Sequence, residues 1–275
     1  MNVLISLYPG YGLGDAVQMS AVLRHIAKHR PHWRVDYRAP EGQACVGVGI
    51  VANTFTYGQP NPTEHYDAEF QITLHDRWYG WTDRPNTNVA QALQHFDIPW
   101  DAECGRYQVN VSPDMDRWAK RAVTDDAVAF HYQGETARDK KDLTEHQSIG
   151  VLDDIWVSNH TPFILGKHIS NGYNAEVNTA IIKHCRAFVG IDSGPAKCAS
   201  ATDTPSLVVW TGHHPARFHD PAPNTMHLVP RGYHCLDPVN YNEGVVKWFE
   251  ANYNVRAYDR DMTYQVGKWL REVLK

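Results

Sequence analysis

The sequence predicts an α/β fold in two domains, divided at about residue 124. An apolar opening segment at residues 1–7 predicts a buried strand, and a helical apolar stripe follows it from Ala16 to Lys28. After a polar helix, the apolar segment Ala127–His131 predicts the first strand of a second domain. Phe188–Gly212 then alternates an apolar strand, a polar glycine turn, a short helix and another apolar strand. Such alternation is typical of βαβ units in open parallel sheets.

The other elements follow from the same periodicities. Glu41–Pro62, rich in Gly, Asn and Pro, predicts loops around short strands, and the Pro-rich segment Pro215–Pro230 predicts a loop. The further predicted strands are Trp33–Ala39, Glu69–Leu74, Pro162–Gly166 and Ser206–Trp210, and the further predicted helices are Asn88–Phe96, Asp114–Ala122, Asn174–His184, Asn242–Asn252 and Thr263–Leu274.

The composition is ordinary for a soluble globular protein and narrows the function classes. The chain has 275 residues, enough for two α/β domains or one large domain. Its formal net charge of -5 argues against a dedicated nucleic-acid binder. Five cysteines without a CxxC pair indicate reduced thiols and a cytoplasmic location. The apolar N-terminal stretch is too short for a signal peptide or a membrane span, so we expect neither.

The polar turn after the strand at Phe188 is the first candidate site. It consists of Asp192-Ser193-Gly194-Pro195, and the next strand ends at Thr211-Gly212. In open parallel sheets, ligands bind beyond the carboxyl ends of the strands, where helix N-termini offer free N–H groups. We therefore expect this edge to bind an anionic, nucleotide-linked ligand.

A second candidate lies at the start of the first long helix. Gly12 and Gly14 permit a tight turn and a close approach of the backbone to a ligand, and Asp15 follows them. Asp15 fits the N-cap of the helix, which is a structural role, and it also fits a carboxylate held at the mouth of a cleft between the domains. The glycine spacing is not a clean G-x-G-x-x-G, so a dinucleotide fingerprint is a poor match.

Cations and aromatic side chains follow two other predicted strands. Beyond His131 the chain reads Tyr-Gln-Gly, with the glycine at Gly134, and then brings Arg138, Lys140 and Lys141, which suit a phosphate group or a solvated charge run equally well. The segment His75–Pro85 combines tryptophan, tyrosine and arginine side chains, which suit stacking on a sugar or base or simple loop packing.

The 16 histidines raise the question of a metal site. His25 and His29 are four residues apart on a predicted helix, but no Glu follows His25 as a zincin motif requires. His213, His214 and His219 share one Pro-rich segment. We expect solvated or hydrogen-bonded histidines rather than a metal site.

Two of these motifs resemble the ADP-heptose:lipopolysaccharide heptosyltransferase family of glycosyltransferases. Gly12-Leu13-Gly14-Asp15, followed by an apolar helix that ends near Arg30-Pro31, resembles the family's opening G-x-G-D motif. The stretch from Ile181 through Asp192-Ser193-Gly194-Pro195 resembles its C-terminal D-[ST]-G block, and Thr211-Gly212 stands where the family often has a G-P-T-x-P turn. The resemblance covers both halves of the chain, and the blocks have the same order and spacing as in the family.

The resemblance implies the GT-B architecture, in which two Rossmann-like domains face a cleft. Residues 1–124 would be the acceptor side and residues 125–275 the nucleotide-sugar side, with the last helix crossing back to the N-terminal domain. The implied reaction transfers a sugar from a nucleotide-sugar donor with inversion at the anomeric carbon. No metal and no cofactor beyond the donor are implied.

The resemblance also implies roles for single residues. Asp15 would be the base that takes the proton of the acceptor hydroxyl group, and Lys140 or Lys141 would neutralise the donor diphosphate. Asp192, Ser193 and Gly194 would contact the donor. The chain departs from the family's usual His-Leu after the D-[ST]-G block, because Lys197-Cys198 stand there and bring a further cation near the phosphates.

Other functions stay open at this point. The acceptor could be a saccharide or a modified base in phage DNA, and a steep salt dependence of acceptor binding would indicate the latter. The chain could also be a non-catalytic sugar-nucleotide-binding protein, which would bind the donor without turning it over. A GT-B epimerase would convert a nucleotide sugar with no acceptor present.

Overall fold

The computed structural model describes residues 1–74, 87–134, 141–166, 174–232, 243–259 and 261–275. The predicted aromatic segment His75–Pro85 lies outside the described residues, and so do Arg138 and Lys140.

The N-terminal half is built on a four-stranded parallel sheet. Its strands are β1 (Asn2–Leu7), β2 (Arg34–Ala39), β3 (Asn53–Thr56) and β4 (Ala68–Ile72), in the order β3-β2-β1-β4. The first helix, α1 (Leu13–His29), packs its buried face on the sheet side chains Val3, Ile5 and Leu7. The strands are short and apolar on this face, as expected for a sheet covered by a helix.

The C-terminal half is built on a six-stranded parallel sheet. Its order is β10-β9-β8-β7-β5-β6, and its strands are β5 (Ala127–His131), β6 (Thr161–Ile164), β7 (Ala187–Ile191), β8 (Ser206–Val209), β9 (Thr225–Pro230) and β10 (Asn254–Tyr258). The chain leaves β5 toward β6 on one side and then returns to β7 on the other side. The point at which the strand order reverses therefore lies between β5 and β7, where open sheets of this type bind ligands.

Short helices connect and cover these strands. They are α2 (Thr87–Gln94), α3 (Ala102–Gly105), α4 (Pro113–Ala122), α5 (Glu145–Val157), α6 (Ala175–His184), α7 (Gly194–Ser200), α8 (Pro215–Phe218), α9 (Glu243–Asn252) and α10 (Met262–Val273), with one 3₁₀ turn at Ala44–Gly47. Local signals fix several of their starts. Thr144 caps α5 through the Gln147 N–H, and Asn174 caps α6 through the N–H groups of Glu176 and Val177.

The Pro215–Pro230 segment is not the loop that we predicted. It contains helix α8 and strand β9, and β9 pairs with β8 on one side and β10 on the other. We predicted a loop because of these prolines. They occupy positions in the helix and the strand where the missing N–H group costs no backbone hydrogen bond. Pro215 occupies the first turn of α8, and Pro230 ends β9.

We predicted that the last helix crosses back to the N-terminal domain. This prediction was wrong, because the helix packs on the C-terminal half. The buried side chains Met262, Val266, Trp269 and Leu270 of α10 share a core with Val128, Val189 and Leu207 of the C-terminal sheet. Helix α10 also packs on α5, where Gly150 faces Thr263 and Gly267 faces Asp154. An amphipathic pattern predicts that one face is buried, but it does not predict which partner buries it.

The two halves share one continuous core. It joins β1 and α1 to residues of α6, α7 and β7. Helix α4 lies before residue 124 in sequence yet packs on α6, and Asp116 pairs with Lys183 at 2.8 Å and His184 at 3.1 Å. The exact domain boundary at about residue 124 remains a prediction. No helix in the described ranges combines the length and the apolar character needed to span a membrane.

Candidate active site

The two sequence motifs meet in space, one from each half of the chain. The start of α1 lies against the start of α7, and a Cβ atom built on Gly194 would lie 2.7 Å from Leu13 Cβ. A Cβ atom built on Gly14 would lie 3.3 Å from Lys197 Nζ. A side chain at Gly194 would therefore clash with the Leu13 side chain, whereas one at Gly14 would only press on the buried Lys197 side chain. The contact brings the first turn of α1 beside the carboxyl end of β7.

Asp15 lies at the third position of α1 rather than at its N-cap, which is Gly12. Its half-buried carboxylate accepts a hydrogen bond from the Gly12 N–H at 3.1 Å. The carboxylate thus satisfies a donor that the helix start would otherwise leave unpaired. The capping role and a chemical role can coexist, because a carboxylate oxygen has two lone pairs and the group has two oxygens.

Asp192 is a buried carboxylate held between two lysines. Asp192 Oδ1 accepts from Lys197 Nζ at 3.2 Å, and Asp192 Oδ2 lies 3.5 Å from Lys141 Nζ. Burial by itself raises the pKa of Asp192, but Lys197 and Lys141, with His213 and His219 nearby, outweigh it and hold that pKa far below its usual range. At this edge the buried carboxylate therefore lies between two cations.

The two lysines differ in access to solvent. The side chain of Lys197 is 5% exposed, whereas that of Lys141 is 18% exposed. Lys197 is also held over the Phe218 ring at 5.9 Å. Lys141 is therefore the more accessible of the two cations, while Lys197 is enclosed beside Asp192. The sequence placed both cations near the ligand but could not separate these two positions.

Ser193 links the two strand ends at the reversal point of the sheet. Its hydroxyl donates to the Ile191 carbonyl at 3.1 Å and lies 3.0 Å from His131 Nδ1. Burial lowers the pKa of His131 to about 4, so the imidazole is neutral near pH 7. His131 Nδ1 and the Ser193 hydroxyl are thus within hydrogen-bond distance, and His131 Nε2 lies on the side of Gly166.

His131 is the site residue that the sequence analysis missed. It ends the predicted strand Ala127–His131, so its position at the carboxyl edge was available from the pattern. A histidine at a strand end carries no motif of its own. Only the order of the strands, which the sequence did not give, places it opposite Ser193.

The remaining candidates form the walls of this edge. Thr211 Oγ1 donates to the Lys141 carbonyl at 3.3 Å, which ties the end of β8 to that lysine. The Gly134 N–H donates to Asp142 Oδ1 at 2.7 Å, which fixes the chain on both sides of the segment that contains Lys140. Pro195 is buried in the first turn of α7, and Gly212 is half-buried after Thr211.

A cluster of buried histidines supports the end of β8. Trp210 Nε1 donates to His227 Nδ1 at 3.0 Å, and His214 Nδ1 accepts from the Ala216 N–H at 3.1 Å. Burial lowers the pKa of His227 to about 3 and holds that of His219 well below its usual value. The rings of His219 and His227 are therefore neutral packing and hydrogen-bonding groups. Within the described ranges, no three histidine, cysteine or acidic side chains are placed together to hold a metal ion.

Both sheets, their parallel strands and their facing motifs define a glycosyltransferase-like GT-B fold, and comparison with solved structures confirms it. The chain aligns with the E. coli ADP-heptose lipopolysaccharide heptosyltransferase II at a TM-score of 0.67 and 12% identity, over 100% of this chain and 98% of that one. It aligns with a family 9 glycosyltransferase from Veillonella parvula DSM 2008 at a TM-score of 0.64 and 12% identity, over 99% and 97%. For the E. coli heptosyltransferase WaaC with ADP, the TM-score is 0.53 at 14% identity, over 92% and 100%.

The resemblance to heptosyltransferases is confirmed at the sequence level as well. Residues 175–245 match the model of glycosyltransferase family 9 (heptosyltransferase). The matched range includes Asp192-Ser193-Gly194-Pro195 and Thr211-Gly212. No curated protein matches the chain. At these identities the solved structures support the fold alone, and the family match is confined to residues 175–245.

Proposed function

We propose that this chain is an inverting glycosyltransferase that moves a sugar from a nucleotide-sugar donor to an acceptor hydroxyl group. The observation that carries the proposal is the contact between Leu13 and Gly194. It brings the carboxylate that follows Gly14 to the same edge as the positive charge around Asp192. A base and a site for an anionic leaving group, both facing one cleft, are what the reaction needs.

In the proposed step, Asp15 accepts the proton of the acceptor hydroxyl group. The acceptor oxygen forms a bond to the anomeric carbon as the bond from that carbon to the donor phosphate oxygen breaks. The electron pair of the broken bond leaves with the nucleoside diphosphate. Because attack and departure occur on opposite faces, the anomeric configuration inverts.

The leaving group gains negative charge, and Lys141 is the cation best placed to meet it. Its side chain is the more exposed of the two that pair with Asp192. Lys197 and Asp192 hold Lys141 in place, and Lys140, which lies outside the described residues, stays a candidate from the sequence alone. Ser193 and Gly194 present backbone next to the donor, and Thr211 and Gly212 line the same edge. We further propose that the lysines supply the positive charge, so that neither a metal nor a further cofactor is required.

The proposed donor site makes a direct prediction about ligand-dependent stability. A nucleoside diphosphate at about 100 times its dissociation constant should add about 2.7 kcal/mol to the free energy of unfolding. The Lys141→Gln variant should lose most of this gain because the phosphate charge is no longer met. The measurement is a thermal-shift titration with the diphosphates of the common nucleosides.

Lys120→Gln is the matched control, because Lys120 is an exposed lysine on α4 and should leave the ligand-dependent shift unchanged. A wild-type protein that shows no shift with any nucleoside diphosphate would contradict the proposed donor site. An equal shift in Lys141→Gln would leave a donor site but remove Lys141 from it.

A further inference from the structure

Arg38 on β2 is a half-buried arginine whose two terminal guanidinium nitrogens have no hydrogen-bonding or ionic partner among the described residues. Its Nε donates to Ser6 Oγ at 3.2 Å. No described residue pairs with its two terminal nitrogens, and these nitrogens are not enclosed by the protein. Arg24 and Arg106 differ, since the terminal nitrogens of Arg24 bind the carbonyls of Glu103 and Arg106, and Arg106 pairs with Asp203 at 2.7 Å.

The guanidinium group of Arg38 is held in a fixed orientation. Its central carbon lies 4.9 Å from the centre of the Tyr57 ring. The Tyr57 hydroxyl donates to the Leu7 carbonyl at 2.6 Å, which fixes the ring. Stacking on an aromatic ring and one hydrogen bond from Nε leave the planar fork of the terminal nitrogens preorganised.

Asp36, the acidic neighbour of Arg38 on β2, does not form an ion pair with it. Asp36 lies two residues earlier on the same face of β2, but its carboxylate accepts from Asn53 Nδ2 at 2.8 Å, Thr63 Oγ1 at 2.6 Å and the Tyr66 hydroxyl at 3.0 Å. These three neutral donors occupy the carboxylate oxygens of Asp36. The terminal nitrogens of Arg38 are therefore available as hydrogen-bond donors to a ligand.

The position of Arg38 connects it to the candidate active site. Arg38 is opposite Ser6 in the register of β1 and β2, near the carboxyl ends of both strands. One residue beyond Ser6, the chain leaves β1 and runs through the turn that carries Gly12 and Asp15. The fork of Arg38 thus belongs to the same edge of the N-terminal sheet as the first motif.

We propose that Arg38 and Tyr57 form a subsite for an oxyanion, a phosphate or a carboxylate group, on the N-terminal half. A guanidinium fork binds either group through two parallel hydrogen bonds. The assignment of this anion to the acceptor rests on the proposed transferase function; the subsite itself does not. The acceptor would then be an anionic saccharide or another molecule with an oxyanion near the hydroxyl group that reacts.

The subsite can be tested by binding alone, without donor or transfer. Glucose 6-phosphate, glucuronate and glucose are titrated by calorimetry at low ionic strength into the wild type and into Arg38→Gln. We expect at least one of the two anionic sugars to bind the wild type at least tenfold more tightly than it binds Arg38→Gln. Glucose should not distinguish the two proteins. The preferred anionic sugar shows whether the subsite favours phosphate or carboxylate.

Arg34→Gln is the matched control, because Arg34 is an exposed arginine on the same face of β2 at the opposite end of the strand. It should bind like the wild type. Tyr57→Leu, which keeps the charge but removes the stacked ring, should lose part of the affinity.

Three results would overturn the proposal: no binding of either anionic sugar to the wild type, equal binding to folded Arg38→Gln, or an equal loss in Arg34→Gln. A failed transfer assay would leave the binding result standing, so the two proposals fail separately.

Discussion

Asp220 shows how burial alone can set the charge of a residue. It is 3% exposed and lies near the backbone of Gly105 in the contact between the halves. Burial raises the pKa of Asp220 to about 8, although Arg24 and Arg106 oppose the change. The carboxyl group is therefore mostly protonated in the folded protein near neutral pH, whereas it is ionised in the unfolded chain.

This raised pKa predicts a pH-dependent gain in stability for Asp220→Asn. Between about pH 4 and pH 8 the unfolded chain releases the proton of Asp220 and the folded protein keeps it, so the wild type loses stability as the pH rises. The variant has no such proton. The difference in unfolding free energy, variant minus wild type, should rise by about 1 kcal/mol per pH unit from pH 5 to pH 7.

Urea unfolding at several pH values measures this difference. Asp203→Asn is the control, because Asp203 is almost fully exposed and pairs with the same Arg106. Below about pH 6.5, buried neutral histidines such as His131 make the unfolding free energy rise with pH, which opposes the effect of Asp220. The comparison must therefore use the difference in unfolding free energy between the two proteins rather than the pH dependence of one protein. A difference that does not change with pH would contradict the raised pKa.

At the level of elements, the crossing of α1 and α7 positions the candidate site. The two helix starts can approach because Gly14 and Gly194 lack side chains at the contact. A methyl group at residue 194 would fall 2.7 Å from Leu13 Cβ, which is closer than two carbon atoms pack. The helices would have to separate to accommodate it.

Gly194→Ala should therefore destabilise the protein by about 1–3 kcal/mol. Gly12→Ala should cost much less, because the nearest atom to its added Cβ lies 4.0 Å away. Adding Leu13→Ala to Gly194→Ala should recover part of the loss, since it removes Leu13 Cγ and Cδ2, which would lie 2.7 and 2.8 Å from the added methyl group, while Cβ stays. Thermal or urea unfolding of the single and double variants measures this coupling, and strictly additive effects would contradict the close packing.

The elements also show what the sequence could and could not predict. The Asp192 turn was predictable because a polar glycine turn follows an apolar strand and small residues follow it at helical spacing. The Asp15 helix was predictable in type, but its start came three residues earlier, so Asp15 proved to be a first-turn residue rather than the N-cap. Strand β9 was missed because prolines flank it and because its pairing with β8 and β10 is a tertiary contact.

The site was predictable as two separate motifs, but not as one place. Nothing local shows that Leu13 touches Gly194 or that Lys197 is more deeply buried than Lys141. His131 and Arg38 matter through their strand positions and their partners, which depend on the order and register of the sheets. The sequence thus predicted which residue types carry charge at the cleft, whereas their positions depend on how the strands and helices pack.

At the scale of the whole molecule, the central claim is that the halves meet so that Asp15 acts on an acceptor bound opposite the donor. Asp15→Asn tests it most directly. The amide oxygen of asparagine can still accept from the Gly12 N–H, so the helix cap is retained while the base is removed. Asp114→Asn, a change at an exposed carboxylate in the first turn of α4, is the matched control.

The measurement is the rate of sugar transfer from the donor identified by thermal shift, with donor binding measured in the same proteins. We predict that Asp15→Asn lowers the transfer rate by about 100-fold or more and leaves donor affinity unchanged, whereas Asp114→Asn alters neither. Transfer by Asp15→Asn at the wild-type rate would contradict the account.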